Sequence, residues 1–207
     1  MRTSEVRSEF AGVEHGPEAT PVGGGVGHDW QPAALFEQAT SVACRDRLVS
    51  MVETVTGRAS SNGLADAAQL LHDFNVEYDE PAPPPDELAA RLAELIAGDH
   101  VTVLLARAHE TGAAIGVAVM RVQPSVWSRA QEAYLAELYV VPSRRGQGYG
   151  RELIAEALRV ARERGADYAF LLTSEDDRPA QRLYEAAGFR RTEGEGGPLM
   201  LAYEREL

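Results

Sequence analysis

The segment 137–154, ELYVVPSRRGQGYGRELI, restricts the fold more than any other part of the chain. It passes from an apolar run through Pro142 into glycines at 146, 148 and 150, then into a helical pattern. A run as apolar as AYLAELYVV is expected of a strand covered on both faces. Leu153, Ile154, Ala157, Leu158 and Ala161 recur at helical spacing up to Gly165, which predicts a helix over about 149–164. A buried strand feeding directly into a helix belongs to α/β architecture.

From Met51 onward the remaining chain alternates in the same manner. LVSMVETVTG reads as the first strand. Ser61 or Asn62 can cap a helix with Leu64, Ala67, Ala68, Leu71 and Phe74 on one face. Four prolines in YDEPAPPP remove donors and fix φ, so this stretch is a stiff linker. Asp86 then caps a helix with Leu88, Leu92, Leu95 and Ile96 inward and Gly98 as its stop. HVTVLLAR and AAIGVAVMRV form strands joined by the hairpin loop AHETG, and DYAFLLT is a further strand. RPAQRLYEAAG is a short helix capped by Asp176 or Asp177 and closed by Gly188; FRRT and PLMLAYERE end the chain as strands. The order is β-α-α-β-β-β-α-β-α-β-β, an α/β sandwich with a mixed sheet.

Residues 1–48 stand apart as a polar extension containing glycine and proline, with PVGGGVG at 21–27, and are expected to be partly disordered. Leu35, Phe36, Ala39, Val42 and Ala43 leave a short docked helix open beside a loosely attached tail. Residues 49–207 carry the domain, a length that buries a real core. No apolar run approaches a membrane span, and the first twenty residues lack the apolar centre of a secretory signal. The single cysteine, Cys44, has neither a disulfide partner nor metal ligands at zinc spacing, so a reduced cytoplasm and no metal are expected. The formal net charge of −12 argues against nucleic acid and suits a cationic small molecule. Every basic side chain is arginine; the chain contains no lysine.

A strand, a glycine-rich turn and a helix start together form an anion-binding arrangement. The first N–H groups of a helix lack internal partners and carry the positive end of its dipole. Glycines let an anion approach that backbone, and Arg144, Arg145 or Arg151 can add charge. A tight turn needing positive φ would use the same residues. The spacing is neither G-x-G-x-x-G nor a nucleotide triphosphatase loop. It does match R-x-x-G-x-G: Arg145, Gly148 and Gly150 resemble the acyl-CoA pyrophosphate signature of the GNAT superfamily of N-acetyltransferases. Ala180, Leu183, Tyr184, Gly188 and Phe189 resemble that family's second motif, and the likeness covers about residues 49–207.

The resemblance implies a mixed, mostly antiparallel sheet with helices on both faces, and acetyl-CoA as acyl donor. It implies that the fourth and fifth strands part around the pantetheine arm, bordered by Leu138, Tyr139 and Val140. The amides from Arg145 through Gly146, Gln147, Gly148, Tyr149 and Gly150 to Arg151 would hold the pyrophosphate. Tyr184 matches the tyrosine that protonates the departing thiolate, and a phenol stays protonated at neutral pH. Asp177 stands where the family commonly has a cofactor-contacting asparagine, and it can equally cap a helix.

An alkylamine has a pKa of about 10.4, so only roughly one molecule in 2,500 is nucleophilic at pH 7, a cost of about 4.6 kcal/mol. A carboxylate, or a water chain leading from one, can take that proton. Glu137 is the candidate base or amine-recruiting group, facing away from Leu138 by strand alternation. Many related diamine and aminoglycoside acetyltransferases carry two acids here, whereas this chain has Ala136 before Glu137. Glu77, Tyr78, Asp79 and Trp127 are the candidate acceptor contacts, since acids beside aromatics suit an organic cation. The expected acceptor is a small cationic amine. A protein amino terminus, a non-catalytic acyl-CoA-binding module and a homodimer remain open.

Overall fold

A computed structural model describes residues 51–55 and 61–205. The readings made for residues 1–48 lie outside the described residues. Five strands order as β1-β2-β3-β4-β5: β1 Met51–Val55, β2 Thr102–Arg107, β3 Ala114–Pro124, β4 Gln131–Val140 and β5 Ala166–Leu171. The first four pair antiparallel and β4 pairs parallel with β5, giving the expected mixed, mostly antiparallel sheet.

Helices cover both faces. α1 (Ser61–Glu77) and α2 (Pro85–Ala97) bury Ala67, Ala68, Leu70 and Leu92 against Val103, Leu105, Val117 and Val119. α3 (Tyr149–Glu163) buries Leu153, Ile154, Ala157 and Ala161 on the other face, against Leu104, Ala118 and Met120. Alternating strand residues feed the two cores, as the pleat requires. Each fully buried leucine there contributes roughly 1.5–3 kcal/mol. α4 (Arg178–Ala186) packs Leu183 and Tyr184 against the α3 cluster. No helix of the described residues is long and apolar enough to cross a membrane.

Two expectations are corrected. Asp86 does not cap α2, which starts one residue earlier at Pro85, whose fixed φ suits a first helical position; Asp86 instead complements the dipole from within the first turn. The two closing strands reduce to one isolated bridge, Thr192 to Leu199. The connection holds Gly194, Gly196, Gly197 and Pro198, with positive φ at Gly194 and Gly196, and such residues shorten a ladder. Leu199, Leu201 and Tyr203 are consequently exposed.

Candidate active site

The glycines leaving β4 serve two distinct purposes. Gly146 and Gly148 have φ of +75° and +102°, a region that costs an L-residue about 1–2 kcal/mol. No heavy atom lies within 4 Å of where a Cβ would stand at either position. Gly148 is the N-cap of α3 and no side chain caps that helix, so its first N–H groups, at the positive end of the dipole, have no side-chain partner at the cap. Such a helix start can take an anion. Gly150 is helical, and a Cβ there would lie 3.1 Å from Leu183 Cδ2; it allows α3 to close on α4.

β4 pairs with β5 only from Gln131↔Ala166 to Leu135↔Leu171, although it continues to Val140. Residues 136–140 therefore have no β5 partner. The register against β3 slips at the same point: Val119 faces Glu137 but Met120 faces Leu135, which leaves Ala136 as a bulge. A bulge adds twist and inverts the parity of the residues beyond it. Ala133 and Leu135 join the α3 core before it; Leu138 and Val140 pack there after it, while Tyr139 joins the α1/α2 core. Glu137 shares the face of Tyr139 by alternation, opposite Leu138.

Glu137 lies on the stretch of β4 beyond its β5 pairing, and Tyr184 lies on α4, packed against the α3 cluster. Asp177 Oδ1 accepts from the Ala180 N–H at 3.0 Å, so Asp177 is the N-cap of α4 that carries Tyr184. Burial pushes the Tyr184 phenol up to about 12, and the nearby Asp177 and Glu137 carboxylates, with Tyr78 once ionised, act in the same direction. Those three groups therefore share its electrostatic neighbourhood. Burial also raises Glu137 above the ordinary carboxylate range, partly offset by the Arg121 guanidinium. A phenol that stays protonated and a carboxylate made more basic thus share one electrostatic neighbourhood.

The acceptor candidates separate. Tyr78 leaves α1 edge-on to Phe74, ring centroids 5.3 Å apart, and Phe74 leans on Tyr139 at 5.4 Å. Asp79 turns the chain with φ of +58°. Glu77 is engaged by Arg145, at 2.7 and 2.8 Å. Trp127 stands apart from them: it lies 92 % exposed in the β3–β4 loop, before the start of β4. About six residues of strand, roughly 20 Å, separate it from Glu137. Among the cofactor candidates, Gln147 donates to the Ser143 carbonyl at 3.2 Å, Tyr149 packs against the α3 core and Arg151 is exposed in the first turn of α3. The sequence reading missed Arg121 and the bulge. The bulge left one trace, the shift of apolar phase from residues 133 and 135 to 138 and 140.

The acetyltransferase (GNAT) family model matches residues 67–189. A mycothiol acetyltransferase of Thermobifida fusca is 27% identical over 201 residues, 92% of this chain and 54% of that protein. One from Thermomonospora curvata is 41% identical over 68 residues, 31% of this chain and 23% of the relative. The chain thus spans about half or less of these relatives' lengths. An aminoglycoside N(6')-acetyltransferase type 1 of Salmonella typhimurium is 28% identical over 55% of this chain and 79% of its own. Among crystal structures, an Arthrobacter sp. FB24 protein assigned to the acetyltransferases is 40% identical with a TM-score of 0.68, over 79% of this chain and all of that one.

Proposed function

Since the chain belongs to the acetyltransferase (GNAT) family, whose members use acetyl-CoA as cosubstrate, we propose that it acetylates a primary amine by direct attack in a ternary complex. The observation that carries the reading is the end of the β4–β5 pairing at Leu135, which leaves residues 136–140 without a β5 partner just ahead of the glycine loop and α3. Acetyl-CoA supplies an acyl carbon activated as a thioester. The amides of residues 146–151 hold its diphosphate, the Arg145 N–H being given to the Pro142 carbonyl, with Arg151 adding charge from the first turn of α3. Leu138, Tyr139 and Val140 offer the unpaired side of β4 to an extended, amide-bearing arm.

Glu137 takes a proton from the ammonium, directly or through water, and its raised affinity for protons suits that duty. Tyr184 donates its phenolic proton to the departing sulfur and stays protonated until then. Tyr78 and Asp79 form the acceptor's wall where α1 ends. A small cationic amine fits this acidic, aromatic setting and the net charge of −12. The small-amine relatives, among them the aminoglycoside acetyltransferase, support the same class.

The test combines acetyl-CoA with alkylamines, diamines, aminoglycosides and peptides bearing free amino termini, following thiol release, with CoA affinity measured in parallel by calorimetry. Turnover of small cationic amines is the expected result. Turnover of peptides alone would replace the acceptor class, inertness with CoA bound would mark a non-catalytic acyl-CoA module, and failure to bind CoA would overturn the reading.

A further inference from the structure

Arg145 opens the glycine loop, and its guanidinium turns back into the protein. Both terminal nitrogens donate to Glu77, Nη1 to Oε1 at 2.7 Å and Nη2 to Oε2 at 2.8 Å. Nε donates to the Val140 carbonyl at 2.9 Å, and the guanidinium carbon lies 5.6 Å from the Tyr139 ring centroid. Three donors of a rigid fork are thus committed within the protein. The Arg145 hydrogen bond holds Glu77 below the usual carboxylate range, as a standing ion pair requires. The side chains are 43% and 28% exposed, so the pair is partly shielded from solvent.

Glu77 is the last residue of α1, and the chain leaves that helix through a stiff turn. Tyr78, Asp79 and Glu80 donate back to the Asn75 and Val76 carbonyls, and Asn75 Nδ2 donates to the Pro81 carbonyl at 2.9 Å. His72 Nδ1 lies 3.0 Å from the Pro83 carbonyl, which fastens the proline linker to the same helix. A fork clamped on Glu77 therefore fixes the whole exit of α1 against the start of the diphosphate loop. The next side chain, Tyr78, lies in the neighbourhood of both Arg145 and Tyr184.

We propose that Glu77 and Arg145 are positioning residues, a strut that locks the acceptor wall at Tyr78 to the glycine loop so that amine and thioester are held in register. This deepens the proposed transfer reaction and rests on it. The Arg145 N–H closes the preceding turn on the Pro142 carbonyl at 3.3 Å, and its side-chain charge is spent on Glu77 and not on the diphosphate. Glu77 likewise holds Tyr78 and does not touch the amine. Such registration matters because small misplacements of reacting groups cost large factors in rate.

Glu77→Gln, Arg145→Met, their double variant and the charge swap Glu77→Arg with Arg145→Glu test the strut in the full chain. Hydrogen exchange is expected to rise at 142–150 in Glu77→Gln and at 75–80 in Arg145→Met, with no further rise in the double variant. CoA affinity by calorimetry should change less than about threefold, because no diphosphate contact is lost. With the best amine of the panel, both single variants should raise the acceptor KM more than the acetyl-CoA KM, and the charge swap should recover part of the loss.

Three results would overturn the strut. One is a roughly tenfold or greater loss of CoA affinity in Arg145→Met, the mark of a charged hydrogen bond to the diphosphate. A lower acceptor KM in Arg145→Met would show that Glu77 binds the amine itself. Unchanged exchange across the set would reduce the pair to a surface ion pair. Coupled exchange in a protein that binds no CoA would instead sustain the strut and end the acetyltransferase reading, so the two fail separately.

Discussion

Burial acts on Tyr184 and Glu137 in the same direction, and the consequence differs with the duty. A phenol pushed up to about 12 remains a proton donor across the physiological range, so its value lies in being protonated. Tyr184→Phe keeps the ring and removes the proton; turnover should fall by about 10²-fold, the lower end for a general acid, while calorimetry finds CoA affinity unchanged. Glu137 is raised because its charge is poorly solvated. A carboxyl whose folded pKa is raised gives stability that is full below its unfolded pKa and lost as pH rises through the folded one. Glu137→Gln should therefore melt above wild type at pH 8, with the gap closing toward pH 4, although its kcat/KM falls by about 10²-fold or more. A variant that melts lower at pH 8 would show that Arg121 compensates the buried charge.

At the scale of elements, strand, glycine loop and helix have to be read together. Gly148→Ala imposes a side chain on φ of +102° but meets no neighbour, so its cost is conformational, about 1–2 kcal/mol, and falls on the loop. It should weaken CoA binding and lower Tm by only a few degrees, about 2–4 °C per kcal/mol in a chain of this size. Gly150→Val meets Leu183 at the α3–α4 contact, so it should lower Tm further. Similar Tm losses in the two variants would show that both glycines serve packing. The period of the apolar residues revealed α1, α2, α3 and the inner strands because each buries a full stripe. The turn at 145–150 was legible as a strand–loop–helix junction because a loop and a helix cap are local. Three features were not local. The bulge at Ala136 depends on β3, the Arg145–Glu77 pair joins residues 68 apart, and the closing strands lacked a long enough ladder. Sequence pattern does not encode partners across such separations.

For the whole molecule, the field matters as much as the contacts. With 32 acidic side chains against 20 arginines, the chain attracts cations at a distance and repels CoA. Near the loop the positive charge is partly spent, since Arg145 is paired with Glu77 and Arg144 lies 3.5 Å from Glu110. CoA must then be held mainly by oriented amides, whose short-range action salt barely screens. The amine is gathered by long-range attraction, which fades as the Debye length shrinks from about 30 Å at 0.01 M to about 8 Å at 0.15 M. The two substrates should consequently respond to salt in opposite senses. Between about 20 and 300 mM sodium chloride the KM of a dicationic acceptor should rise severalfold, while CoA affinity stays level or tightens. The absence of lysine keeps the measurement clean, because no ε-amine of the enzyme competes for the acetyl group. An acceptor KM that is flat in salt would remove charge from its recognition. A CoA affinity that collapses in salt would mean that arginine side chains, and not backbone amides, hold the diphosphate.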